Sequence, residues 1–101
     1  MRFGLSEQTI ISINAVFESF PEIEKVIIYG SRAKGNYKNG SDIDLSLLGD
    51  SINLYLLNRI ELALDDLLLP YTFDFSIYHQ ITNPEFIEHI NQVGQIFFLR
   101  K

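Results

Sequence analysis

One short stretch limits the folds open to this chain more than any other. Lys25-Val26-Ile27-Ile28-Tyr29 is apolar and β-branched, and Gly30 stops it abruptly. β-Branched side chains are stiff at χ1 and pack well on a pleated surface, so the run reads as a buried strand. A buried strand needs partners beside it and cover above it. Two further stretches qualify as partners. Asp42-Ile43-Asp44-Leu45-Ser46-Leu47-Leu48 alternates polar and apolar residues, as a strand with two unlike faces does. Thr72 to Tyr78 sets Phe73, Phe75 and Ile77 on one face and Asp74 on the other.

Helical patterns fall between these strands. Glu7 to Phe20 carries Ile10, Ile13, Val16, Phe17 and Phe20 on one stripe, with Ser6 as N-cap and Pro21 as stop. A short helix is expected directly after Gly30-Ser31. Ile52 to Leu68 carries two neighbouring stripes, Leu54-Leu57-Leu64-Leu68 and Leu56-Ile60-Ala63-Leu67, more apolar surface than a helix lying on one sheet needs. The last helix starts at Asn83-Pro84 and ends at Gly94 as a C′ residue. Ile96 to Leu99 is an apolar tail that must pack somewhere. The expected fold class is therefore α/β (α+β), a small mixed sheet flanked by helices.

The chain has 101 residues, enough for one domain spanning 1–101. Hydrophobic residues make up 47%, enough for a core, and Cys is absent, which excludes disulfides and thiolate chemistry. No signal peptide or membrane-length apolar run is read, and the cytoplasm is the expected location. The net charge of −5 argues against direct nucleic-acid binding, because that affinity comes from cations that neutralise phosphates. Arg32, Lys34 and Lys38 are a local exception, clustered in one loop.

Three features carry chemistry. Gly30-Ser31 ends the buried strand just before a helical turn, where a sharp bend and free N–H groups suit a phosphate. Asp42 and Asp44 share one strand face, a spacing that lets two carboxylates reach around hard divalent cations. Asp74 stands in an aromatic strand, where Asp is disfavoured unless its face is polar. If that strand lies beside the Asp42–Leu48 strand, Asp74 completes a three-carboxylate cluster, ligates the metal and helps remove a proton from the nucleophile. Each feature alone has a bland reading as turn, cap or exposed strand face. Together, Gly-Ser followed after ten residues by Asp-x-Asp arises by chance in about one chain in a thousand of this length.

Gly30-Ser31-Arg32-Ala33-Lys34-Gly35 followed by Ser41-Asp42-Ile43-Asp44-Leu45 resembles the signature of the DNA polymerase β-like nucleotidyltransferase superfamily. Within it, the size and the motif resemble the MNT-domain proteins, the minimal nucleotidyltransferases. That resemblance implies the polymerase β-like fold. It also implies ATP as substrate, two Mg²⁺ bound by Asp42 and Asp44 with Asp74 as third carboxylate, and Gly30 and Ser31 holding the triphosphate. It implies a HEPN-domain protein as partner, the chain being its antitoxin, and transfer of AMP from ATP to a hydroxyl of that partner.

Two other readings stay open: modification of a small molecule of the aminoglycoside type, and a silent antitoxin acting by binding alone. After the third strand only one helix and the tail remain, so an acceptor must be presented by another protein or a second copy of the chain. The wide leucine face and the tail offer apolar surface for such contact. His79 and His89 read as surface histidines rather than metal ligands. Tyr29 and Tyr37 read as packing residues. Ser46, on the aspartates' face, suits a supporting hydrogen bond. Arg32, Lys34 and Lys38 could offset phosphate charge and are assigned no role.

Overall fold

Residues 1–101 are described by a computed structural model. The order is α1 (Glu7–Glu18), β1 (Lys25–Tyr29), α2 (Gly30–Lys34), β2 (Ile43–Leu48), α3 (Leu54–Asp65), β3 (Phe73–Ile77), a 3-10 turn (Tyr78–Gln80), α4 (Pro84–Val93) and β4 (Gln95–Leu99). The four strands form one mixed sheet in the order β3-β2-β1-β4. β1 pairs antiparallel with β2 and with β4, while β2 pairs parallel with β3. A parallel neighbour requires a crossover, and α3 supplies it.

Side-chain alternation gives the sheet two different faces. Val26, Ile28, Ile43, Leu45, Leu47 and Ile77 join the core with Ile10, Ile13 and Phe17 of α1 and Leu56, Leu57, Ile60 and Leu64 of α3. The opposite face carries Ile27, Tyr29, Asp44, Ser46, Asp74 and Ser76. α4 lies there: Phe86 and His89 meet the Tyr29 ring edge-on. Gly94 comes so close to Ile27 and the Ile90 carbonyl that a Cβ would collide with both. Gly94 is therefore needed for contact, since its backbone is extended rather than left-handed.

The helix caps follow the sequence. Ser6 accepts from the Thr9 amide, Asn53 from Leu56, and Asn83 from Glu85 and Phe86, with Pro84 at the first helical position. α1 is shorter than its apolar stripe, because the chain turns at Ser19 and buries Phe20 outside the helix. α3 stops at Asp65 and its following turn ends in a left-handed Leu68. The leucine stripe over Leu54, Leu57, Leu64 and Leu68 is consequently split. Leu57 and Leu64 are buried, while Leu54 and Leu68 stand exposed with Tyr55 and Leu62.

The apolar tail becomes β4, paired along the free edge of β1. Its register slips between Val26 and Ile27, leaving Phe97 as an extra residue. Such a bulge turns two successive side chains toward one side. Phe97 and Phe98 both meet Phe17 of α1 edge-on. Asn14 donates to the Phe97 carbonyl. Arg100 locks the end of the chain by donating to the carbonyls of Phe17, Phe20 and Ile23.

Candidate active site

The polar face of the sheet is ordered in rows. Tyr29 of β1 is the register partner of Asp44 of β2, and Asp44 is the partner of Asp74 of β3. Three neighbouring strands thus place a phenol and two carboxylates in one line, with ~4.8 Å between strands. The next row is Ile27, Ser46 and Ser76. There the Ser76 hydroxyl donates to Ser46 at 3.0 Å, and Ser46 is fully buried. Parallel pairing of β2 and β3 makes these rows possible: it aligns the two Asp-x-Ser segments, Asp44 to Ser46 and Asp74 to Ser76. Asp42 immediately precedes β2, on the Asp44 side by alternation, and is exposed.

The carboxylates have no cation of their own. The two ion pairs of the chain join Arg2 to Glu7 and Arg100 to Glu18, both elsewhere. Burial pushes the Asp44 carboxyl above its ordinary range, and the charges of Asp74 and then Asp42 push it further, against smaller opposing pulls from Arg32 and His89. A set of oxygen donors that repel one another and lack a counter-ion matches what a hard divalent cation takes. The donor chemistry therefore fits Mg²⁺. The side chains do not converge into a preformed cage, since nowhere do three His, Cys, Asp or Glu groups gather closely enough to hold a metal ion. Asp42 and Asp74 are exposed, so their rotamers are free to turn inward.

Gly30 sits against this row. Its φ of +72° lies in the left-handed region, and a Cβ there would run into the Asp44 carboxylate. Only glycine lets the turn approach that closely. α2 starts at Gly30 and, unlike α1, α3 and α4, has no side chain capping its first turn. Ser31 is half-buried in that turn.

Arg32 has a different role from a phosphate-facing cation. It is 3% exposed and donates to the Phe3 carbonyl at 2.9 Å and twice to the Ser41 carbonyl at 2.9 and 3.1 Å. Its guanidinium also lies over the rings of Tyr37 and Tyr71. Arg32 thus ties the α2 turn to the residue before Asp42 and to the chain's first turn. Lys34 and Lys38 are exposed and form no ion pair.

Two residues read as bland from sequence stand at the site. Tyr29 is buried, in line with both carboxylates. His89 is half-buried on α4, facing Tyr29. Neither position follows from local pattern, because the register of β1 on β2 and the docking of α4 create them. His79 is exposed at its turn and bonds the Ile52 carbonyl. The cavity of the molecule, about 240 Å³, is a cleft between α3 and the outer edge of β3, lined by Glu61, Leu64, Asp65, Tyr71, Phe73 and Phe75 among others. It contains none of the residues in the polar rows, which lie on the sheet's other face, with Asp42 and Asp74 exposed there.

Comparison with solved structures places this architecture. A chain of a toxin-antitoxin crystal structure with AMP-PNP superimposes with a TM-score of 0.71 at 18% identity, over 96% of this chain and 76% of that one. A chain of the MntA-HepT toxin-antitoxin structure gives 0.68 at 13% identity, over 94% and 74%. A chain of the tri-AMPylated Shewanella oneidensis HEPN toxin in complex with MNT antitoxin gives 0.62 at 13% identity, over 91% and 73%. At such identities the likeness is one of fold. Curated protein sequences yield no match. Residues 12–101 match the polymerase beta nucleotidyltransferase family. With nearly its whole length matched, the chain belongs to the polymerase beta nucleotidyltransferases.

Proposed function

We propose that the chain transfers AMP from Mg-ATP to a hydroxyl of a partner protein, a HEPN-domain toxin, and so acts as its antitoxin. The observation that carries this reading is the in-register pair Asp44 and Asp74, with Asp44 set directly against the Gly30 turn. Two similar structures support the substrate and the partner, one holding AMP-PNP and one an AMPylated HEPN toxin with its MNT antitoxin.

The chemistry assigns each residue a task. Gly30 and Ser31 receive the triphosphate on the uncapped first turn of α2, where N–H groups suit an anion. Asp42, Asp44 and Asp74 are the ligands for two Mg²⁺. Bound Mg²⁺ supplies charge stabilisation for the triphosphate and the departing pyrophosphate. Asp74, exposed at the outer end of the row, accepts the proton of the acceptor hydroxyl. The hydroxyl oxygen bonds to the α-phosphorus as the bond to pyrophosphate breaks. Catalysis in such a site is positioning and electrostatics.

The open face leaves the acceptor to another molecule. Leu54, Tyr55, Leu62, Leu68, Ile96 and Leu99 are exposed apolar residues available to a partner or to a second copy. No helix is long and apolar enough to cross a membrane. The reading places the chain in the cytoplasm, with nucleotide and toxin.

The test is incubation with α-labelled ATP, Mg²⁺ and a HEPN-domain protein. Label on the HEPN protein is the expected result. Label only on an added aminoglycoside points to small-molecule transfer. A tight complex without label points to inhibition by contact, and either outcome overturns the assignment.

A further inference from the structure

Between the Gly30-Ser31 turn and the first carboxylate, Asp42, the chain runs through a loop that is exposed from Lys34 to Gly40. Its own hydrogen bonds are local. The Gly35 amide donates to the Ser31 carbonyl, the Ser41 amide to the Lys38 carbonyl, and the Lys38 amide to the Ser41 hydroxyl. The tie that spans the loop is Arg32. Its Nε and Nη2 donate to the Ser41 carbonyl at 3.1 and 2.9 Å, and Nη1 donates to the Phe3 carbonyl at 2.9 Å. The guanidinium lies 5.5 Å from the centre of the Tyr37 ring and 5.2 Å from that of Tyr71, and the residue is 3% exposed. The Ser41 carbonyl belongs to the peptide unit that carries the Asp42 amide. On the far side of Asp42, the Ile43 amide donates to the Thr72 carbonyl at 2.9 Å, and Ile43 is fully buried. Asp42 is therefore an exposed side chain on a backbone held from both sides, by the sheet after it and by Arg32 before it.

We propose that Arg32 is a positioning residue for Asp42, its guanidinium setting where the Asp42 backbone lies relative to Asp44 and to the Gly30-Ser31 turn. This rests on the nucleotidyltransferase reading above, in which Asp42 is a metal ligand. Arg32 stands on α2, which begins with Gly30 and Ser31, so one side chain joins the turn assigned to the triphosphate to the backbone of a carboxylate assigned to the metal. Three donors of one planar fork fix both distance and direction. A Lys ammonium on its flexible stem does not reproduce them. Loss of a group that orients a ligand without touching the metal costs about 10–100-fold in metal affinity.

The experiment measures Mn²⁺ binding by electron paramagnetic resonance with AMP-PNP present, below the melting transition of every variant. The proteins are the wild type, Arg32→Lys, Asp42→Asn, the double variant and Ile10→Val. Ile10→Val trims a buried side chain of α1 and reports what lost stability alone does to binding. Arg32→Lys is expected to bind Mn²⁺ about 10–100-fold more weakly than wild type, and Ile10→Val to bind like wild type. Asp42→Asn is expected to bind weakly through Asp44 and Asp74, and adding Arg32→Lys to it should bring no further loss, because Arg32 acts through Asp42. Wild-type affinity in Arg32→Lys, with loss in Asp42→Asn, overturns the role of Arg32 and leaves the metal site standing. An equal loss in Ile10→Val, or a full additional loss in the double variant, overturns it as well. No Mn²⁺ binding by the wild type overturns both readings. If Arg32→Lys does not fold, Tyr71→Leu takes one ring off the guanidinium and leaves its donors. Weakened binding there, absent in the Asp42→Asn background, supports the tether, and unchanged binding overturns it.

Discussion

Asp44 holds its charge against its surroundings. Burial comes first, then Asp74, then Asp42, and all three raise its carboxyl pKa above the unfolded value. A group with a raised folded pKa favours folding only when protonated, below its unfolded pKa, and that contribution is lost as pH rises through the folded pKa. At neutral pH the ionised side chain therefore destabilises the free protein. Asp44→Asn removes that charge while keeping the shape. We expect the variant to be more stable than wild type at pH 7 by a few tenths to about 1 kcal/mol, discounted for solvent screening. Thermal melts check this, with a rise of a few degrees for a domain of this size. The gap should narrow as pH falls from neutral through the raised Asp44 pKa, because wild-type Asp44 then protonates and recovers its share. At this scale the residues of the candidate site are legible in the sequence: Gly30, Ser31, Asp42, Asp44 and Asp74 stand out by residue type and spacing. Tyr29 and His89 do not, since an aromatic residue ending a strand and a histidine in a helix have ordinary reasons to be there.

Arg32 shows how an element is held by a residue that sequence reads as a loop cation. α2 is only five residues long, too short to persist alone. The guanidinium secures it by bonding the Ser41 carbonyl, nine residues on, and the Phe3 carbonyl, far upstream. Arg32→Met would leave these acceptors unpaired, which costs about 1–3 kcal/mol for each buried group. We expect a loss of about 2–4 kcal/mol and faster hydrogen exchange at the amides of Leu5 and Ser41, measured by melts and by NMR. Lys34→Met, at an exposed position, should change neither. The strands β1, β2 and β3 and all four helices are visible as patterns in the chain, because period and caps are local. The helix ends are less so: α3 stops at Asp65 where the leucine pattern runs on to Leu68, since its final turn closes differently.

The molecule as a whole depends on pairings that no local pattern reveals. β4 was legible only as apolar surface in search of a place. Its place is the free edge of β1, where a bulge turns Phe97 and Phe98 toward Phe17 and Arg100 seals the end. Register is likewise global. A slip of one residue between β2 and β3 would put Asp74 on the core face, and the core residues Leu45, Leu47 and Ile77 prevent it. The packing of the apolar face thereby sets the geometry of the polar one. The most direct measurement is a crystal structure of the protein grown with Mn²⁺ and AMP-PNP, with anomalous scattering to locate the metal. The account predicts Mn²⁺ held by Asp42, Asp44 and Asp74, with the phosphates on Gly30 and Ser31. Metal and nucleotide bound away from that row, for example in the α3–β3 cleft, would contradict it.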